Sequence, residues 1–151
     1  MDCGDSFLMP APGGAATPHL WIVVTEPDRQ THLCAIVSVT TLRNSKDQTV
    51  ILRPGDHPFI RHDSTIYYGD AMIVDTRRLA SEIAAGLAVV RDKCAQSTLK
   101  LVQDGVLASP FTRPRFSASV GSSGSDSHSR RGSRATMPYS NFRIDTPSSV
   151  S

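Results

Sequence analysis

Two imidazoles, a guanidinium and an aromatic ring fall within the six residues His57-Pro58-Phe59-Ile60-Arg61-His62. Upstream, Thr40-Thr41 closes one apolar run and His19 opens another, and Arg43 and Arg53 lie nearby in the chain. These are the side chains that chemistry on a phosphate needs. An imidazole moves protons near neutral pH. Fixed cations and hydroxyls hold the charge that builds on phosphorus. His57 and His62, so near Arg53 and Arg61, look like a phosphate-facing group. Each residue also has a plainer reading. Thr is favoured at strand ends on propensity alone. His19 follows Pro18 and reads equally well as a wet loop residue. Asp56 is placed to bond backbone amides and fix the Asp56-His57-Pro58 turn. Arg43, Arg77 and Arg78 read as solvated charges. His57 and His62 have no acidic partner at zinc spacing, so no metal site is expected. No Gly-rich loop follows a strand and opens a helix, so no nucleotide cofactor is expected.

Strands must position this group. Gly4 to Met9 is a short candidate strand, followed by the irregular loop Pro10 to Pro18. His19 to Thr25 is rich in β-branched and aromatic residues and reads as a strong strand. Leu33 to Thr41 is nearly continuous in apolar residues and is therefore central. Thr49 to Leu52 is a further strand, ended by Arg53-Pro54-Gly55-Asp56. Ser64 to Tyr68 leads through Gly69-Asp70 into Ala71 to Val74. Short links between close strands favour an antiparallel arrangement. Five or six such strands suggest a small barrel or a strongly curled sheet. After Asp75 the period changes. Leu79, Ile83 and Leu87 mark an amphipathic helix with Asp75 or Thr76 as N-cap. Leu99, Val102 and Val106 mark a second, beginning near Ser97 and ending before Ser109-Pro110. Both helices are expected on the open side of the sheet.

The 151 residues divide by composition. From Ser117 on the chain is Ser-rich and poor in apolar residues, so residues 1–115 are expected to fold and 116–151 to form a disordered tail. The formal charge is +2 overall. Met1–Phe116 holds 12 Lys/Arg against 12 Asp/Glu, and the remainder 4 Arg against 2 Asp, so the tail carries the surplus. A neutral body argues against binding nucleic acid by bulk charge, though a local basic patch is compatible with it. In the tail, Arg130-Arg131-Gly132-Ser133-Arg134 is a basic cluster able to hold a phosphate by charge. Cys3, Cys34 and Cys94 are too widely spaced for a metal pair and read as reduced thiols of a cytoplasmic protein. No secretory leader and no membrane-length apolar run is seen, so no membrane partner is expected.

The order of these segments resembles the MazF/PemK toxins of toxin–antitoxin pairs. Gly4-Asp5-Ser6-Phe7-Leu8 resembles their opening Gly-Asp strand, and Leu20–Thr25 their second strand. Val37-Ser38-Val39-Thr40-Thr41 is similar to a strand ending in a Thr pair. Val74-Asp75-Thr76-Arg77-Arg78-Leu79 is similar to their strand-to-helix junction. The chain looks closer still to a branch of short bacterial and phage-borne proteins marked by His-Leu-Trp-Ile-Val and Pro-Gly-Asp-His-Pro-Phe-Ile. The resemblance covers about Gly4 to Arg115. It implies a mainly β fold with C-terminal helices, a small SH3-like antiparallel barrel, usually a homodimer. It implies metal-free cleavage of single-stranded RNA through the ribose 2′-hydroxyl, and an acidic antitoxin as partner. The family's usual catalytic pair is an Arg before the second strand and a Thr or Ser ending the third. Thr40 matches the latter, while His19 stands where the Arg is expected. On this reading Thr40 and His19 are catalytic, and Thr41, Arg43, Arg53, His57, Arg61 and His62 bind RNA. The His at position 19 is compatible with altered roles in catalysis. It is also compatible with a non-catalytic SH3-like module that binds a peptide or nucleic acid, or with an accessory protein of phage origin.

Overall fold

A computed structural model describes residues 1–13 and 16–122. The basic cluster at 130–134 and most of the expected tail lie outside the described residues. Six strands form one sheet: β1 (Ser6–Pro10), β2 (Pro18–Val23), β3 (Leu33–Thr41), β4 (Ile51–Leu52), β5 (Ser64–Asp75) and β6 (Val89–Arg91). Their order is β4-β5-β3-β2-β1-β6, and every neighbouring pair is antiparallel. The fold is thus mainly antiparallel β, and β3 is central as its apolar run requires. The two expected pieces on either side of Gly69-Asp70 are one strand, β5. Its register against β3 shifts between Ile36 and Ser38, so the extra residues are absorbed as a bulge rather than a turn. β4 is shorter than expected because Asp47 takes both the N–H and the hydroxyl of Thr49, at 2.9 and 2.6 Å, and turns the chain there.

Three helices complete the described residues: α1 (Thr76–Ala84), α2 (Gln96–Ala108) and α3 (Pro114–Ser122). Asp75 is the N-cap of α1, accepting from the Arg77 N–H at 2.8 Å. α1 stops before Leu87, contrary to its expected period. Gly86 adopts φ +77, its N–H bonds Ile83 O, and the Leu87 N–H bonds Glu82 O at 2.9 Å. That left-handed residue closes a Schellman turn. It releases Val89–Arg91 to pair with β1 as an edge strand that the sequence reading missed.

Strand alternation gives the sheet two packed faces. Leu20, Ile22, Val37, Val39, Ile66 and Tyr68 face α2 and α3, through Leu99, Val102, Val106, Phe116 and Val120. Trp21, Val23, Cys34, Ile36 and Val74 face Leu79 of α1. The helices therefore cover opposite faces, which corrects the expectation that both share one. α1, moreover, precedes β6, so the C-terminal helices are α2 and α3. The expected boundary at 115 falls inside α3, because Phe116 and Val120 are apolar at i, i+4 and both are buried.

Candidate functional site

The site lies where β2 begins and β3 ends. Leu20 pairs with Val39 at the end of the β2–β3 ladder, and His19 and Thr40 lie one residue beyond it on their strands. Thr40 in turn pairs with Thr65, and Thr41 with Ser64. Alternation sends His19 and Thr40 to the face of Trp21 and Ile36, the α1 face, beyond the reach of α1 itself. It sends Thr41 to the face of Val39, the α2 face. The strand ends form the rim between the two.

An open groove of about 680 Å³ runs along this rim. Its lining includes His19, Thr40, Thr41, Arg61 and His62, five of the eight residues singled out from sequence. Phe59, Arg91 and Asp92 border it as well. The Nδ1 of His19 is 3.4 Å from Val39 O. A carbonyl only accepts, so Nδ1 carries the proton, and in the neutral ring the Nε2 lone pair is free to act as a base. Thr41 Oγ1 lies 3.0 Å from His62 Nε2 and ties the tip of the 53–63 loop to the end of β3. Arg61 is exposed and makes no ion pair among the described residues, so its charge is available to an anion. The hydroxyl of Thr40 likewise makes no hydrogen bond among the described residues.

Three expected site residues are placed elsewhere. His57 is buried, at 1% exposure, and does not border the groove. Its Nδ1 accepts from the Phe59 N–H at 3.1 Å, so the Nε2–H donates to Asp92 O at 2.8 Å. Ser6 Oγ donates to the same carbonyl at 2.5 Å and sits 3.1 Å from Nε2. The imidazole thus pins the loop to β1 and to the chain after β6. Arg53 is exposed on the turn that Asp56 closes by accepting its backbone N–H at 2.7 Å, and it does not border the groove. Arg43 is exposed and outside the lining too.

Asp70 was missed by sequence reasoning. It occupies the bulge of β5, and loss of solvation holds its carboxyl above the usual carboxylate range. Lys46, His19 and Arg113 oppose that shift, which places their charges within electrostatic reach of it. A lone Asp after Gly within a strand reads as a turn residue, so no local signal marked it. The thiols play no part here: burial pushes Cys34 up to about 12 and Cys94 to about 11, and raises Cys3. Such thiols stay protonated and are poor nucleophiles. No helix among the described residues is long and apolar enough to cross a membrane. No protein-family model matches this chain, and no curated protein matches it.

Proposed function

We propose that this chain is a MazF/PemK-like endoribonuclease that cuts single-stranded RNA through the ribose 2′-hydroxyl without needing a metal ion. The observation that carries this reading is that His19 and Thr40, next in chain to the Leu20–Val39 pair, line one groove together with Thr41, Arg61 and His62. His19 Nε2 takes the proton of the 2′-hydroxyl, whose oxygen attacks the adjacent phosphorus. The bond to the 5′-oxygen breaks, that oxygen takes a proton from solvent in the open groove, and the products are a 2′,3′-cyclic phosphate and a free 5′-hydroxyl. Thr40 donates to a phosphate oxygen, and Arg61 offsets the charge that gathers there. The sheet, on this reading, is an SH3-like barrel of the PemK type. It works in the cytoplasm as a homodimer, held in check by an acidic antitoxin. The purified protein incubated with a long single-stranded RNA in chelator tests this. Discrete cuts ending in 2′,3′-cyclic phosphate support the reading, and intact RNA in the presence of folded protein rejects it.

A second reading is favoured by one observation, the His at the position where the family has Arg. It makes the chain a non-catalytic SH3-like module that binds RNA or a peptide in the same groove. It predicts binding without turnover and no growth defect on expression.

A further inference from the structure

The part of the α1 face that α1 leaves open carries a group that the cleavage chemistry does not use. Tyr67 follows Thr65 on that face of β5, and Thr65 is the partner of Thr40. Its ring leans over Gly69, where a Cβ would come within 2.9 Å of it. Lys46 Nζ stands over the same ring, 4.8 Å from its centroid. The ring of Phe111 meets Tyr67 at 6.2 Å and a 52° tilt. Phe111 is 49% exposed, yet its backbone is fixed. Its N–H donates to Ser109 Oγ at 3.1 Å, and that hydroxyl donates to the buried carboxylate of Asp47. Burial of Asp47 and Ser109 thus holds a large apolar ring out in solvent, where the hydrophobic effect alone would not leave it. Arg113, also exposed, lies two residues on. Tyr67 stands one same-face position along β5 from Thr65, the partner of Thr40, so this group adjoins the site.

We propose that Phe111, backed by Tyr67 and flanked by Lys46 and Arg113, is a stacking subsite for one unpaired base of a single-stranded RNA whose reacting phosphate lies at His19 and Thr40. The proposal rests on the RNA-cleaving reading. Every base has a π-face, and an aromatic ring among cations is the usual means of holding an unpaired strand. Tyr67 is already covered by Gly69 and Lys46, so Phe111 supplies the open ring. Lys46 and Arg113 match the charge of the phosphates on either side. Asp70 repels phosphate, so the strand turns a base edge toward it, and a carboxylate accepts from a base that carries an amino group.

Fluorescence anisotropy with the full chain and a labelled, uncleavable 2′-O-methyl oligoribonucleotide tests this. Phe111→Ala weakens binding roughly tenfold or more, as loss of one stacked base does, while Phe111→Trp retains it. Thermal unfolding of both variants controls for the fold. One abasic residue, moved along the oligonucleotide, costs wild type affinity at a single position and costs Phe111→Ala nothing there. Unchanged binding by Phe111→Ala overturns the subsite, and if wild type still cuts RNA the cleavage reading survives it. Weakened binding by Phe111→Ala, with a wild type that never cuts, supports the subsite and rejects cleavage. Wild type that neither binds nor cuts overturns both.

Discussion

His57 Nε2 donates to the carbonyl of Asp92 across 2.8 Å, joining two points 35 residues apart. The bond fixes the loop that ends in Arg61 and His62, so a histidine with no surface of its own sets the far wall of the groove. His57→Ala removes one of the two donors to Asp92 O, leaves the Phe59 N–H without its acceptor and opens a cavity. It should cost about 2–4 kcal/mol of stability in urea unfolding. A variant as stable as wild type would show that the loop is held by other contacts.

Gly105 lets α2 approach the sheet. A Cβ there would come within 2.0 Å of the Tyr68 hydroxyl and 2.5 Å of Val50. That hydroxyl donates to Val102 O at 2.7 Å. Gly105→Ala normally favours a helix, but here it should destabilise by about 1–3 kcal/mol through overpacking. A raised melting temperature would contradict the packing described.

Asp75 supplies an acid-sensitive contact. Hydrogen bonds from the Arg77 guanidinium, and then from its backbone N–H, hold the Asp75 carboxyl down at about 2. Its folded value lies below the unfolded value of about 3.9. The stabilisation is therefore complete above pH ~4 and is lost as pH falls toward 2. Melting curves of wild type and Asp75→Ala should differ at pH 6 and converge near pH 2. A constant gap across that range would place the carboxylate's role elsewhere.

The Thr41–His62 contact predicts a division of labour in the groove. His62→Ala removes a contact to the strand but leaves His19, Thr40 and Arg61 in place. Steady-state cleavage should show KM raised about three- to tenfold, the loss of roughly one charge-assisted bond, with kcat nearly unchanged. A fall in kcat with KM constant would move the chemistry to the His62 side of the rim.

Much of the frame was legible because its signals are local. The apolar run of β3, the Asp75 cap and the apolar period of α2 each follow from a few neighbouring residues. The misses have physical causes. β6 has three residues, all exposed, and Leu87 falls in step with the period of α1, so only the left-handed Gly86 separates them. α3 buries two apolar side chains in a Ser-rich stretch, too few to stand out by composition. His57 carries the same imidazole as His62, and only long-range partners in β1 and after β6 decide that one is core and the other is rim. That His19 and Thr40 belong to one site was expected only through a family resemblance; in the structure both border the rim groove, next to the Leu20–Val39 pair.

The most direct test of the central claim is the initial rate at which His19→Ala cuts a single-stranded RNA in chelator, relative to wild type. With His19 as the base, the rate should fall by about 10²–10⁴ while the melting temperature is kept, because the side chain is only partly buried at a strand start. A His19→Ala protein that cuts at the wild-type rate and leaves the same 2′,3′-cyclic ends would contradict the account.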